Sequence, residues 1–389
     1  MTRSRLPLAD VLVADFSRVL AGPLCTQLLA DYGARVIKIE EPSRGDETRR
    51  WGPPFIDGVS AYFLAVNRNK ESIAIDMKSA EGRKVAKKLI ARADVIVDNF
   101  LPAQRQSLGI RRHARAIHCS ITGFDPDTAE ANRPGYDLLA QAGSGLMAIT
   151  GEKDGEPMKA GVALSDVLTA HYAAGAICTA LYAREKTGRG ERIEISLFGA
   201  TVASLVNVAQ NALVTGGEPS RWGNAHTSIV PYQVFHGSDR AFAIGGGTDR
   251  HFEALCEVIR RPDLLRFATN ASRVEHRGEL VPLLDAIFRA KPARVWVDAC
   301  RRAAIPVAMV QGVREALESD AGRVLVVALD HPRIGRFETV RNPLLFSGKR
   351  FPIRSAPPEL GQHTQEILRE LGITSRSSTR PAARRNRRA

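Results

Sequence analysis

Nothing in the 389 residues is apolar over a long enough run to cross a bilayer, so no membrane-spanning helix is expected. The first ten residues lack the apolar core of a signal peptide, and nothing argues for export. Cysteine is sparse: Cys25, Cys119, Cys178, Cys256 and Cys300 are scattered, odd in number and without CxxC or Cys/His ligand spacing. That argues against a disulfide framework and a zinc site, predicts no metal, and fits a reducing, cytoplasmic setting. A Walker A loop is missing, as is a GxGxxG turn behind a strand, so the common nucleotide-binding fingerprints do not apply.

What is present is an ordinary globular composition, 44% hydrophobic and 25% charged, at a length that predicts two domains. The formal charge of +13 invites a nucleic-acid reading, but six arginines crowd into residues 376–389. That segment has the composition of a solvated, disordered tail. The remaining basic surplus has no aromatic-interleaved stripe, so no nucleic-acid partner is expected; a mildly basic body suits a polyphosphate ligand.

The first 125 residues alternate strand and helix signals. Residues 11–16, 35–40, 72–77, 94–98 and 116–122 read as strands, 21–32 and 80–93 as helices, with Ser79 as a cap. Such alternation predicts an α/β large domain with a Rossmann-like, doubly wound parallel sheet that binds ligands at the carboxyl ends of its strands. A long helix from Val167 to Tyr182 follows, then a strand over 192–197 and one further helix through about Leu213. The Gly/Pro/Ser-rich stretch 216–220 reads as a linker. Hence the expected division is 1–215 for the large domain, 225–325 for a smaller α+β domain, 326–375 to complete the first, and the tail 376–389.

Asp166 opens the long helix, where backbone N–H groups favour an anion; on that window alone it reads as a cap. Gly245, Gly246 and Gly247 follow a strand and read as a flexible turn or as a loop whose amides approach an oxyanion.

Several segments together are more specific: Arg18-Val-Leu-Ala-Gly-Pro23, the run from Leu28 to Glu40, Gly45-Asp-Glu-Thr-Arg-Arg-Trp-Gly-Pro-Pro54, Asn67-Arg-Asn-Lys70, Asp98-Asn-Phe100, Gly135-Tyr-Asp137, Lys186-Thr-Gly-Arg-Gly190 and Gly361-Gln-His-Thr364. In this order, over residues 6 to 372, the chain resembles the class III CoA-transferases. The resemblance implies an interlocked homodimer acting on an acyl-CoA and a small carboxylic acid, with coenzyme A entering as the acyl-CoA substrate. It also implies that Asp166 is a nucleophile that attacks the donor thioester, passing through an aspartyl anhydride and an aspartyl-CoA thioester. Asp137 matches an acidic position and reads as a second catalytic carboxylate or as a capping acid. The glycines 245–247 would supply oxyanion donors.

The racemases of this family carry a histidine where Tyr136 stands. A phenol ionises well above neutral pH, so transfer is favoured over 2-methylacyl-CoA racemisation. A non-catalytic CoA- or nucleic-acid-binding protein is the remaining alternative. Coenzyme contacts carried over from the family are Leu20, Ala21, Ile75, Lys78, Asn99, Phe100, Arg133 and Tyr136. Two positions depart from it: Glu41 and Ser107 stand where formyl-CoA transferase has arginines, and Arg111 or Arg112 are candidate substitutes. Leu20 replaces a glutamine, which argues against formate and oxalate. The stretch from Arg221 to Gln233 resembles succinyl-CoA:glutarate CoA-transferases, making succinyl-CoA and a dicarboxylate the first expectation. A distal carboxylate needs a cation, and Arg18, Arg49 and His226 are the candidates, Arg49 first.

Overall fold

The computed structural model describes residues 6–373; the arginine tail lies outside the described residues. The chain falls into two compact units. Of the described residues, unit one holds 6–144, 161–207 and 324–373, and unit two holds 145–160 and 208–323. The stretches 145–160 and 208–215, expected in the large domain, therefore group with the smaller unit. Arg221 accounts for the first of these: its guanidinium donates to the carbonyls of Ala148, Glu152 and Gly155, at 3.0, 3.2 and 2.5 Å.

Unit one is built on β1 (Leu12–Asp15), β2 (Arg35–Glu40), the two-residue strands β3 (Phe55–Ile56) and β4 (Val59–Ser60), β5 (Lys70–Ala74), β6 (Val95–Asp98), β7 (Ile117–Thr122) and β8 (Arg192–Ser196). Six of them form one all-parallel sheet in the order β5-β2-β1-β6-β7-β8. Counting only those six, the order is 3-2-1-4-5-6, so the winding reverses between β1 and β6 and opens a crevice beyond their carboxyl ends. Its helices are α1 (Ala21–Asp31), α2 (Ala61–Val66), α3 (Ala80–Arg92), α4 (Pro102–Ser107), α5 (Asp137–Gly143), α6 (Leu164–Thr187) and α7 (Leu197–Ala203); α8 (Val206–Thr215) follows and belongs almost wholly to unit two. Leu28 and Leu29 of α1 and Ala170, Ala173 and Ile177 of α6 bury one face of the sheet. Val85, Leu89 and Ile90 of α3, with Ile367 of the C-terminal helix Thr364–Glu370, bury the other. With both faces covered, the strands read as continuous apolar runs.

Two expectations shift. The strand placed at 72–77 lies at 70–74, because pairing with β2 begins at Lys70, and Asp76 accepts from Lys78 N–H to turn the chain into α3. The helix expected through Leu213 breaks between α7 and α8, where Val206 takes φ +43°. The Gly361–Thr364 segment covers edge strand β5: His363 N–H donates to Ser72 O at 3.0 Å and Thr364 Oγ1 accepts from Ala74 N–H at 3.0 Å.

Unit two carries the antiparallel sheet β11-β10-β9, from β9 (Tyr232–His236), β10 (Ala241–Gly245) and β11 (Val307–Met309). Its core is aromatic, with Phe235, Phe242, Phe288 and Trp296 joined through ring contacts.

Candidate active site at the switch point of the sheet

Asp166 stands three residues into α6, whose cap position is Ala163, a residue with no capping side chain. The capping is done from elsewhere: Asp137 Oδ1 accepts from Ser165 N–H at 2.9 Å while its Oδ2 accepts from Gln141 Nε2 at 2.8 Å. The capping role that the sequence allowed Asp166 thus belongs to Asp137. Asp166 instead lies near enough to the backbone N–H of Ala21, the first residue of α1, for that amide to favour its charged form. Burial, then the neighbouring charge of Asp137, pushes the Asp166 carboxyl up to about 7, against the pull of that amide. A carboxylate so placed keeps much of its basicity in reserve for attack on carbon.

Glycine makes the pairing of the two acids possible. A Cβ on Gly135 would lie 2.2 Å from Gly123 Cα, so only glycine lets the segment carrying Asp137 close over the end of β7.

The α1 amide comes from the β1–α1 loop. Val19 there takes φ +73°, which a β-branched residue holds only under constraint. Asn99, beyond β6, staples this loop across the switch point: its Nδ2 donates to Arg18 O at 2.8 Å and its Oδ1 accepts from Arg18 N–H at 3.1 Å. Leu20 is the residue before α1 and Ala21 its first.

Other expected coenzyme residues spread along the same rim. Ile75 and Phe100 are buried in the core cluster beneath it. Lys78 lies just before α3, while Arg133 pairs with Glu130 at 2.7 Å and lies over Phe124. Tyr136 is 60% exposed beside Asp137. Ser107 donates to Gln104 O at 2.8 Å, and Arg112 leans on the carbonyls of residues 113, 114 and 116.

The three substrate candidates part company. Arg49 grips Glu40 with both Nε and Nη2 at 2.7 Å, donates to Pro358 O and stacks 3.7 Å from the Phe63 ring. Its Nε–Nη2 edge is closed by a buried carboxylate, which leaves Nη1 alone to meet a substrate. Arg18 pairs with Glu47 through Nη1 alone, at 2.8 Å, while its Nε is buried without a partner among the described residues. His226 belongs to unit two, where its Nδ1 accepts from Ser228 N–H at 3.0 Å. The glycine turn is also in unit two. Gly245 N–H donates to Pro306 O and Gly247 N–H to Gly245 O, so two of its three amides are engaged within the turn. Glycine at 247 is explained by packing: a Cβ would meet Ile229 Cγ2 at 2.8 Å.

One residue of the site escaped the sequence reading. The Tyr62 phenol is pushed up to about 12 by burial, then by the charges of Asp166, Asp137 and Asp46. It meets Trp51 edge-on at 5.4 Å. Helix α2 has only six residues, too few for a period, and the Ser60 cap, accepting from the Tyr62 and Phe63 amides, was the signal to follow.

The chain's relatives match this geometry in name. The family model described as CoA-transferase family III matches residues 8–364. A mouse protein named succinyl-CoA:glutarate CoA-transferase is 40% identical over 95% of this chain and 87% of its own length. A succinate–glutarate CoA-transferase of Agrobacterium fabrum is 36% identical over 97% and 99% respectively. The crystal structure of a CAIB/BAIF family protein from Brucella suis superposes with a TM-score of 0.85 at 37% identity, covering 95% of this chain and 100% of that one. With a carboxylate pair at the switch point of a six-stranded parallel sheet and a match over nearly its whole length, the chain belongs to CoA-transferase family III.

Proposed function

We propose that the enzyme moves CoA from succinyl-CoA to a second dicarboxylate, with Asp166 as the covalent relay. The observation that carries this is the Asp166 carboxylate, pushed up to about 7 beside Ala21 N–H at the crevice. Asp166 attacks the thioester carbonyl carbon; the C–S bond breaks and the CoA thiolate leaves, giving a mixed anhydride. The thiolate then attacks the aspartyl carbonyl carbon, succinate departs, and an aspartyl-CoA thioester remains. The acceptor carboxylate runs both steps in reverse. Splitting one acyl exchange into paired steps is the gain from a covalent relay. Asp137 fixes the start of α6 and raises the basicity of its neighbour.

For the acceptor, Arg18 has a buried Nε without a partner among the described residues, whereas Arg49 spends Nε and Nη2 on Glu40, and relatives named for glutarate support a dicarboxylate. The exposed apolar surface of Tyr136, Leu138, Leu139, Val162 and Tyr172 beside the site supports a homodimer, and free cysteines support a cytoplasmic setting. The decisive experiment is turnover of succinyl-CoA against a panel of acids, with hydroxylamine trapping. Asp166 should be the residue trapped, and Asp166→Ala should not turn over. Normal turnover by that variant defeats the proposal.

A further inference from the structure

Two lysines lie wholly inside unit one, and the chemistry above uses neither. Lys38 sits in β2 and Lys70 opens β5, both with fully buried side chains. Lys38 Nζ lies 2.8 Å from Asp46 Oδ2 and donates to Ser17 O at 2.9 Å. Lys70 Nζ lies 3.2 Å from Asp15 Oδ2 and donates to Pro23 O at 2.8 Å and Asn67 Oδ1 at 3.0 Å. The acids reach the same loop: Asp15 accepts from Ser17 N–H at 3.0 Å, and Asp46 accepts from Val19 N–H at 3.3 Å.

Four buried charges therefore converge on one short segment, holding it at Ser17, Val19 and Pro23. Stability alone is a poor reason for such a cluster, because apolar side chains of the same volume often do as well in a core. Such side chains could not hold the loop's own N–H and C=O groups, nor keep Val19 at φ +73°. The segment ends at Ala21, the first residue of α1, whose N–H favours the charged form of Asp166.

We propose that the Asp15–Lys70 and Lys38–Asp46 pairs are positioning residues that clamp the β1–α1 loop so that Ala21 N–H stays on the Asp166 side chain throughout CoA transfer. The inference rests on Asp166 being the nucleophile. When the CoA thiolate adds to the Asp166 acyl carbon, the C–S bond forms and the C=O electron pair moves to oxygen. The amide that favoured the carboxylate is then in place to hold that oxyanion, until the anhydride C–O bond breaks and succinate leaves. Despite burial, Lys70 and Lys38 hold Asp15 below its usual range and Lys38 holds Asp46 down at about 2, while burial draws Lys70 itself down to about 8.

The test uses two charge-neutral double variants, Asp15→Asn/Lys70→Met and Lys38→Met/Asp46→Asn. The control is Asp31→Asn/Arg68→Met, a pair buried to a similar degree that does not touch the loop. The clamp variants should lose roughly tenfold to a hundredfold in kcat with KM for succinyl-CoA little changed. The acid limb of kcat/KM should also move to higher pH, because an Asp166 without its amide ionises less readily. A folded clamp variant with the wild-type limb, or a control that falls as far, overturns the inference. If the double variants do not fold, the isosteric Asp46→Asn should move the limb in the same direction, and an unmoved limb again overturns it. Turnover by Asp166→Ala would instead remove the assignment beneath the inference, leaving the two failures distinguishable.

Discussion

A carboxylate kept largely out of water should weaken the fold that holds it, and Asp166→Asn measures by how much. Raising the carboxyl from its ordinary 3.8 to about 7 corresponds to roughly 4 kcal/mol, at about 1.4 kcal/mol per tenfold change in proton affinity. The folded pKa is the raised one, so the stability tied to the proton is complete below about 4 and is lost as pH climbs through about 7. The side-chain amide introduced by Asp166→Asn mimics the protonated acid at every pH. Between about pH 5 and pH 8.5 roughly 2–3 kcal/mol of the difference is in play, and about half of that once water at the crevice mouth is allowed for. Wild type and variant should therefore unfold together near about pH 4, with the variant pulling ahead by a few degrees at about pH 8.5. The assay is thermal and urea unfolding of both proteins across that range. A stability gap that does not change with pH would refute the reasoning, since it would mean that Asp166 titrates normally.

Three further outcomes follow from the geometry. Arg49→Ala strands the buried Glu40 and should cost about 3–5 kcal/mol in unfolding experiments; the ratio of kcat/KM for glutarate and valerate should stay where it was. Arg18→Ala should lower that same ratio by roughly ten- to a hundredfold, the value of a charge-assisted contact to a distal carboxylate, with stability nearly unchanged. Gly135→Ala forces the Tyr136–Asp137 segment off β7 and should destabilise by about 1–3 kcal/mol, read by thermal melting, with a fall in kcat beyond what the melting explains.

Much of the architecture was legible because unit one obeys simple local rules: apolar strands, a Ser79 cap on α3, and left-turning glycines at Gly33 and Gly188 that end α1 and α6. The break between α7 and α8 was not, since both halves are Ala/Val-rich and only the φ of Val206 separates them. Within the site, Asp166 was legible through its neighbours, but its partner was hidden. An amide at residue 21 and a carboxylate at residue 166 meet only after the sheet has wound. The same distance in sequence concealed the commitment of Arg49 to Glu40 and Pro358. Nothing in the strand 35–40 marks Lys38 as a buried ion, because its acid partner and the carbonyl it holds lie in two separate loops.

The cover over β5 has a consequence for how the chain is born. Ala74 N–H waits for Thr364 Oγ1, 290 residues later in the sequence. At roughly 5–20 residues per second on the ribosome, the strand's outer edge stands open for about 15–60 seconds. During that time it is a template for pairing with any neighbouring nascent chain. Ribosomes stalled or messages truncated before residue 361 should therefore yield aggregates rather than a smaller, inactive protein. Supplying the last stretch in trans as a peptide spanning 355–373 should suppress them.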